Sequence, residues 1–263
     1  MSSSPPAVLC FAATDPTGGA GLQADLLTLA SLGCIPLSVV TAVTAQDTRG
    51  VEDLLALEPE WIGRQARLVL ADIPIAAFKI GVVGTARNAE AVAAVLAEHP
   101  RTPVVLDPVL ASGRGDVLAH AGVLQAIRTR LLPRATVATP NSVEARRLAQ
   151  ASEAADLAAC ARELLETGCE YVLVTGTHEP GAQVINTLYG AGGTLREDSW
   201  PRLPGEYHGS GCTLASAVAA HLAKGLDAVA AARAAQEYTW RALQAGLAPG
   251  RGQHLPNRLF APR

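Results

Sequence analysis

Residues 7–43 read AVLCFAATDPTGGAGLQADLLTLASLGCIPLSVVTAV, and the change of texture along them decides the fold. Residues 7–12 form a short, continuously apolar run, as expected of a strand buried on both faces. Thr14-Asp15-Pro16-Thr17-Gly18-Gly19-Ala20-Gly21 is too rich in turn formers to prolong it. Residues 19–32 then read as a helix ending at Gly33, and residues 37–43 are again apolar and β-rich. Strand, crossover helix and strand in so short a span predict a parallel βαβ unit.

The alternation continues outward. Residues 59–71 read as a helix with Ile62, Ala66 and Val69 on one face, and residues 88–98 as another with Val92, Val95 and Leu96 inward. Residues 117–132, 142–150 and 153–167 are also helical, the last closed by Gly168. Between them, residues 76–82, 103–106, 135–138 and 171–175 read as strands. The pattern then changes: residues 183–189 and 194–200, around Gly190, Gly192 and Gly193, read as an antiparallel hairpin on the sheet edge. Ala-rich helices over 212–224 and 227–245 end at Gly225 and Gly246. The prediction is a three-layer α/β/α sandwich with a mostly parallel central sheet and an edge hairpin. It forms one domain, 7–263, behind a mobile tail, 1–6.

Composition narrows the function. Of 263 residues, 49% are hydrophobic and 17% charged, enough apolar material for a substantial core. A net charge of -3 and 4% aromatics argue against nucleic acid as a partner. The five cysteines form no CxxC pair, so a zinc knuckle or disulfide framework is not expected, and the reading is a reduced, cytoplasmic protein. Arg49 is the first basic residue, which gives no sign of a leader peptide, and the uncharged run 26–46 is broken by Gly33 and Pro36, so no membrane span is expected. HExxH and GxSxG are absent, as are the two common nucleotide fingerprints.

Open α/β sheets bind ligands beyond the carboxyl ends of their strands. The glycines of 18–21 let backbone approach a ligand, or simply make a tight turn. Gln46 offers a donor and an acceptor suited to a heterocycle edge, or faces solvent. Asp107, closing an apolar run before Pro108, places a carboxylate at the ligand edge or caps a turn; the loop Ser112–Asp116 follows it. Asn141 and Glu144 have capping-box spacing, and a carboxylate beside Asp107 can also hold water around Mg2+. Gly209-Ser210-Gly211-Cys212-Thr213 opens an uninterrupted helix, where free N–H groups can cradle an anion and a thiol pKa is expected to fall. The histidines lack metal-ligand spacing, and Trp61, Trp200 and Trp240 read as packing residues.

Six segments together resemble the hydroxymethylpyrimidine/phosphomethylpyrimidine kinases of thiamine biosynthesis, in the ribokinase-like superfamily. They are Asp15 to Asp25, Thr41 to Gln46, Lys79 to Gly84, Leu106 to Val109, Thr139 to Glu144 and Gly209 to Thr213, in family order. The resemblance implies ATP- and Mg2+-dependent phosphorylation of 4-amino-5-hydroxymethyl-2-methylpyrimidine and then of its monophosphate, in a homodimer. It implies that Gln46, Asp25, Val82, Val109 and Gly19 serve the pyrimidine, Val82 standing where the family has Met. It places Asp107, Asn141 and Glu144 around Mg2+ and the phosphates, with Asp107 and Glu144 as the metal carboxylates. Gly209, Ser210 and Gly211 would form the anion hole and Cys212 would be the catalytic base. Where the family commonly has Lys-Gly-Gly-His, this chain has Thr175-Gly176-Thr177-His178, which leaves Thr175 as the nucleotide contact. A pyridoxal kinase of the same superfamily and a non-catalytic pyrimidine sensor are the alternatives.

Overall fold

The computed structural model describes residues 4–111 and 121–260; residues 1–3 of the expected tail, the loop 112–116 and the start of the helix expected from 117 lie outside them. The chain opens as expected, with β1 (Ala7–Ala12), α1 (Gly21–Ser31) and β2 (Ile35–Val40). It then departs from expectation. The apolar run expected as one strand to residue 43 breaks at Thr41, whose N–H donates to the Ala12 carbonyl and whose hydroxyl donates to the Val82 carbonyl. Beyond that pin, β3 (Ala42–Asp47) pairs antiparallel with β4 (Gly50–Ala56) as a separate two-stranded sheet.

The remainder alternates through α2 (Pro59–Asp72), β5 (Ala77–Ile80), α3 (Ala86–Ala97), β6 (Val104–Leu106) and α4 (Ala121–Ala126). A π-helical turn (Ile127–Leu131) and a 3-10 turn (Leu132–Arg134) continue α4, where a plain helix was expected. Next come β7 (Val137–Ala138), α5 (Ser142–Leu148), α6 (Leu157–Glu166), β8 (Tyr171–Thr175), β9 (Gln183–Gly190), β10 (Gly193–Pro201), α7 (Ser210–Ala223) and α8 (Ala228–Gln244). The eight-stranded sheet runs β10-β9-β8-β7-β6-β5-β1-β2, parallel from β2 to β8, with β9 and β10 added antiparallel at one edge.

The fully buried strand β1 still sorts its side chains with period two. Leu9 and Phe11 enter the core under α2 and α3, whereas Val8, Cys10 and Ala12 enter the core shared with α7 and α8. Two cores on opposite faces of one sheet are what a three-layer sandwich requires. Strand order reverses between β1 and β5, so their diverging connections leave a crevice at the carboxyl ends.

Candidate active site

Beyond that crevice lies a cavity of about 540 Å³. Its floor combines the loop after β1 (Ala13, Thr14, Ala20, Gly21), Asp107 after β6, Asn141 and Glu144 after β7, Thr175 ending β8, and Gly209 to Cys212 at the start of α7. The β3–β4 hairpin overhangs it with Thr44 and Gln46. Thr44 donates to the Thr14 carbonyl (2.8 Å), and Gln46 Nε2 donates to Thr44 Oγ1 (2.8 Å), so the hairpin is moored to the floor and Gln46 is aimed by it. A bulge between Ala45 and Gln46 interrupts the hairpin register at this point, as bulges do where a side chain must be redirected. Val82 and Val109 also line the cavity.

Gly209 starts α7 in the left-handed region (φ +81°), and an added Cβ would stand 1.9 Å from the Gly19 carbonyl oxygen. The two glycine-rich loops therefore touch backbone to backbone. The first amides of a helix lack intrahelical acceptors, so the N–H groups of Ser210, Gly211 and Cys212, at the cavity wall, have the capacity to bind an anion. Asp15 braces this junction from below. Its carboxylate accepts from Thr17 N–H (2.8 Å), Ala20 N–H (2.7 Å) and His208 Nε2 (2.9 Å). Burial alone would raise the Asp15 carboxyl, but the bonds from His208, Ala20 and Thr17 together lower it. An acid whose folded pKa is depressed stabilises fully above its unfolded value of about 4 and loses that contribution as pH falls through the folded value. Asp15→Asn is therefore expected to cost about 2 kcal/mol at pH 7. In paired thermal melts the gap to wild type should narrow as pH falls below about 4; a gap independent of pH would mean that Asp15 is not ionised.

Asn141 and Glu144 form the capping box of α5. Glu144 N–H donates to Asn141 Oδ1 (2.9 Å), and Asn141 N–H donates to Glu144 Oε2 (3.0 Å). The capping box fixes the Glu144 carboxylate at the cavity wall rather than competing with a role there. Burial, reinforced by repulsion from Asp107, pushes Glu144 up to about 8. Burial likewise pushes Asp107 up to about 6 against the pull of Lys79, and Asp107 Oδ2 is buried without a hydrogen-bond partner. Two crowded carboxylates with an unused lone pair suit a cation that shares its remaining positions with water and phosphate, as Mg2+ does. Among the described residues no cluster of three metal-ligating side chains occurs, so a metal here would depend on the nucleotide for part of its shell.

Cys212 lies half-buried at the cavity wall, which it shares with Asp107 and Gly21. The expectation of a depressed thiol is corrected. Burial pushes Cys212 up to about 12, with Lys79 opposing and Asp107 and Asp25 adding to the rise. The helix start supplies amides, but the carboxylates around the sulfur disfavour a second negative charge.

Two expected pyrimidine contacts lie elsewhere. Asp25 is fully buried on α1 beneath the floor, paired to Lys79 Nζ at 2.8 Å and accepting from Ser216 Oγ at 2.7 Å, and does not line the cavity. Gly19 is also outside the lining; a Cβ there would meet His208 and Leu255 at 2.6 Å. Lys79 is a buried cation that the sequence reading left without a role, and its ammonium also stands 3.9 Å from Asp107 Oδ2. Tryptophans expected only to pack contribute to the far wall of the cavity. Trp200 and Trp240 stack at 6.0 Å, and Trp200 Nε1 donates to Gln236 Oε1 (3.0 Å). Asn186 Nδ2 donates to the same oxygen (3.0 Å), and Gly176 N–H donates to Asn186 Oδ1 (3.1 Å), which ties this wall to the end of β8.

A switch-point crevice floored by helix-start amides and buried carboxylates defines the class as a phosphotransferase of the ribokinase-like fold. The chain belongs to the phosphomethylpyrimidine kinase family, whose model matches residues 15–257. It is 44% identical over 254 residues to a hydroxymethylpyrimidine/phosphomethylpyrimidine kinase of Streptomyces coelicolor, covering 94% of this chain and 92% of that protein. The corresponding Salmonella typhimurium enzyme is 41% identical over 216 residues, 81% of each chain. Among solved structures, Clostridium difficile phosphomethylpyrimidine kinase superposes with a TM-score of 0.79 at 31% identity, covering 90% of this chain and 99% of that one. Staphylococcus aureus pyridoxal kinase with pyridoxal bound gives 0.89 at 25% identity, covering 98% and 94%. Among the described residues no helix is long and apolar enough to cross a membrane.

Proposed function

We propose that this protein, as one kinase domain from residue 7 onward, transfers the γ-phosphoryl group of ATP to the hydroxyl of 4-amino-5-hydroxymethyl-2-methylpyrimidine and then to the resulting monophosphate. The observation that carries this reading is the single cavity in which the Gly209–Cys212 amides, Asp107, Glu144 and Gln46 meet. Gln46 would pair with the aminopyrimidine edge through its carbonyl and its second amide hydrogen, the first being given to Thr44. Val82 and Val109 would flank the ring, and Asp25 and Gly19 would support it indirectly through Lys79 and the loop contact. Thr175 lies beside Asn141 at the phosphate end, and the Trp200–Trp240 wall offers a flat apolar surface to the nucleotide base.

Asp107 and Glu144 would hold Mg2+, which supplies neutralisation of phosphate charge when bound. The Ser210, Gly211 and Cys212 amides meet the charge that spreads over the transferring group, each such donor being worth about 3 kcal/mol of barrier. In a loose transition state the acceptor proton leaves late. Cys212 Sγ would receive it while its own hydrogen passes to the Asp107 carboxylate on the same cavity wall. A phosphate acceptor is already ionised and needs no such transfer. Cys212→Ala is therefore expected to lower kcat about 10²-fold for the alcohol and less than tenfold for the monophosphate. Equal losses in the two steps would reduce Cys212 to a packing role.

Side-by-side assay of ADP release with the pyrimidine alcohol, its monophosphate and pyridoxal tests the assignment. The likeness to S. aureus pyridoxal kinase makes pyridoxal the second reading, and faster turnover of it than of either pyrimidine would replace the first. A cytoplasmic homodimer completes the proposal. Exposed Val43 and Leu55 on the hairpin and Trp61 and Leu68 on α2 support association, and sedimentation velocity tests it.

A further inference from the structure

After α8 the chain does not leave the molecule but runs back across the site. Gln253 N–H donates to the Thr48 carbonyl (2.8 Å) and Gly252 N–H to Thr48 Oγ1 (3.1 Å), at the turn of the β3–β4 hairpin. His208 N–H donates to the His254 carbonyl (2.8 Å), which fixes the residue immediately before Gly209. The segment then delivers Arg258 into the interior, where it is only 4% exposed. Its guanidinium reaches no carboxylate within salt-bridge distance among the described residues. It is spent on the main chain instead: Nη1 donates to Gly18 O (3.2 Å), Nη2 to Gly19 O and, at 3.5 Å, to Gly209 O, and Nε to Thr213 Oγ1 (3.1 Å).

These acceptors belong to the two glycine-rich loops at their point of contact. A peptide is planar and trans, so holding a carbonyl on one side directs the next N–H to the other. With Gly209 O held by Thr213 N–H (3.0 Å), by Thr213 Oγ1 (2.8 Å) and by Arg258, the Ser210 N–H is turned toward the cavity. Glycine gives these loops freedom to turn elsewhere, so something outside them must fix their peptide planes. A planar fork with five donors on a rigid frame can fix several carbonyls at once, which a lysine cannot.

We infer that Arg258 is a positioning residue for phosphoryl transfer: its buried guanidinium locks the Gly18–Gly19 carbonyls to the first turn of α7 and so keeps the anion-cradle amides facing the transferring group. This rests on the kinase reading above, and the wild-type enzyme run in parallel separates the two. Absence of ADP release from wild type with either pyrimidine would refute that reading, whereas turnover by wild type and variants alike would refute the role of Arg258.

The test compares Arg258→Gln, Arg258→Lys and Thr213→Val, the last an isosteric change that removes the Nε acceptor. The expected result is a loss of kcat of at least tenfold in both phosphorylation steps for the two Arg258 variants, with KM for the pyrimidine within threefold. Lysine should not rescue, because the fork and not the charge is required. Thr213→Val should shift kcat in the same direction by a smaller factor. Hydrogen exchange should be faster in peptides spanning residues 207–213 of the Arg258 variants, while the strands of the main sheet keep wild-type protection. Folded variants with kcat within twofold of wild type would overturn the inference. So would loss of activity that merely tracks the unfolded fraction, or full recovery with lysine. If Arg258→Gln yields no soluble protein, wild-type kcat in both Arg258→Lys and Thr213→Val overturns it equally.

Discussion

Gly209→Ala is expected to lower kcat by 10³-fold or more in both phosphorylation steps. Left-handed backbone costs a non-glycine residue about 1–2 kcal/mol, which alone a protein of this size would tolerate. Position 209 is worse because the new methyl would lie 1.9 Å from Gly19 O and 2.8 Å from Gly19 C, both backbone atoms that no rotamer change can clear. The loops must part, and the amides they align must leave the cavity. One misplaced oxyanion donor costs roughly 10²–10³ in rate, and the change displaces more than one. Gly225 at the other end of α7 provides the control. It has φ +88° with nothing within 4 Å of a Cβ, so Gly225→Ala adds strain without a clash and should retain wild-type kcat. Retention of kcat within tenfold in Gly209→Ala would remove the anion cradle from the reaction.

Lys79→Met has the largest expected effect on stability. The Lys79 and Asp25 side chains are both fully buried, joined at 2.8 Å on the α1–α7 side of β5. Burial disfavours the ammonium, but Asp25, then Cys212 and Asp107, more than restore it, so its pKa is raised. Removing one partner leaves an uncompensated buried carboxylate, a loss of about 3–5 kcal/mol. At roughly 2–4 °C per kcal/mol, the thermal midpoint should fall by about 6–20 °C. Adding Asp25→Asn to Lys79→Met should recover part of the loss, since the second charge is then gone as well. A single variant as stable as wild type would mean that the pair carries no charge.

The strands that the sequence revealed with correct bounds, β1 and β8, are short apolar runs set between turn signals. Their burial on both faces makes hydrophobicity and strand length coincide. The β3–β4 hairpin was not legible for the opposite reason. It stands clear of the main sheet, exposes alternate residues, and carries Glu52 and Asp53 on β4, so its composition is that of a loop. The cavity-lining positions of Gln46, Asp107, Glu144 and Cys212 were legible because each follows or begins a recognisable element. The burial of Asp25 was not, because its partner lies 54 residues away and pairing at that distance leaves no local pattern. The charge state of Cys212 failed similarly. Position at a helix start is written in the sequence, whereas the two carboxylates that oppose ionisation, Asp25 on α1 and Asp107 after β6, arrive from distant parts of the chain.

The bond from Arg258 to Gly18 joins residues 240 apart. Ribosomes add about 5–20 residues per second, so the first loop emerges roughly 10–50 s before the arginine that fastens it. A nascent chain can complete much of its sheet in that interval and still present misdirected amides to nucleotide. Competence therefore waits for a residue made long after the loops that it fastens.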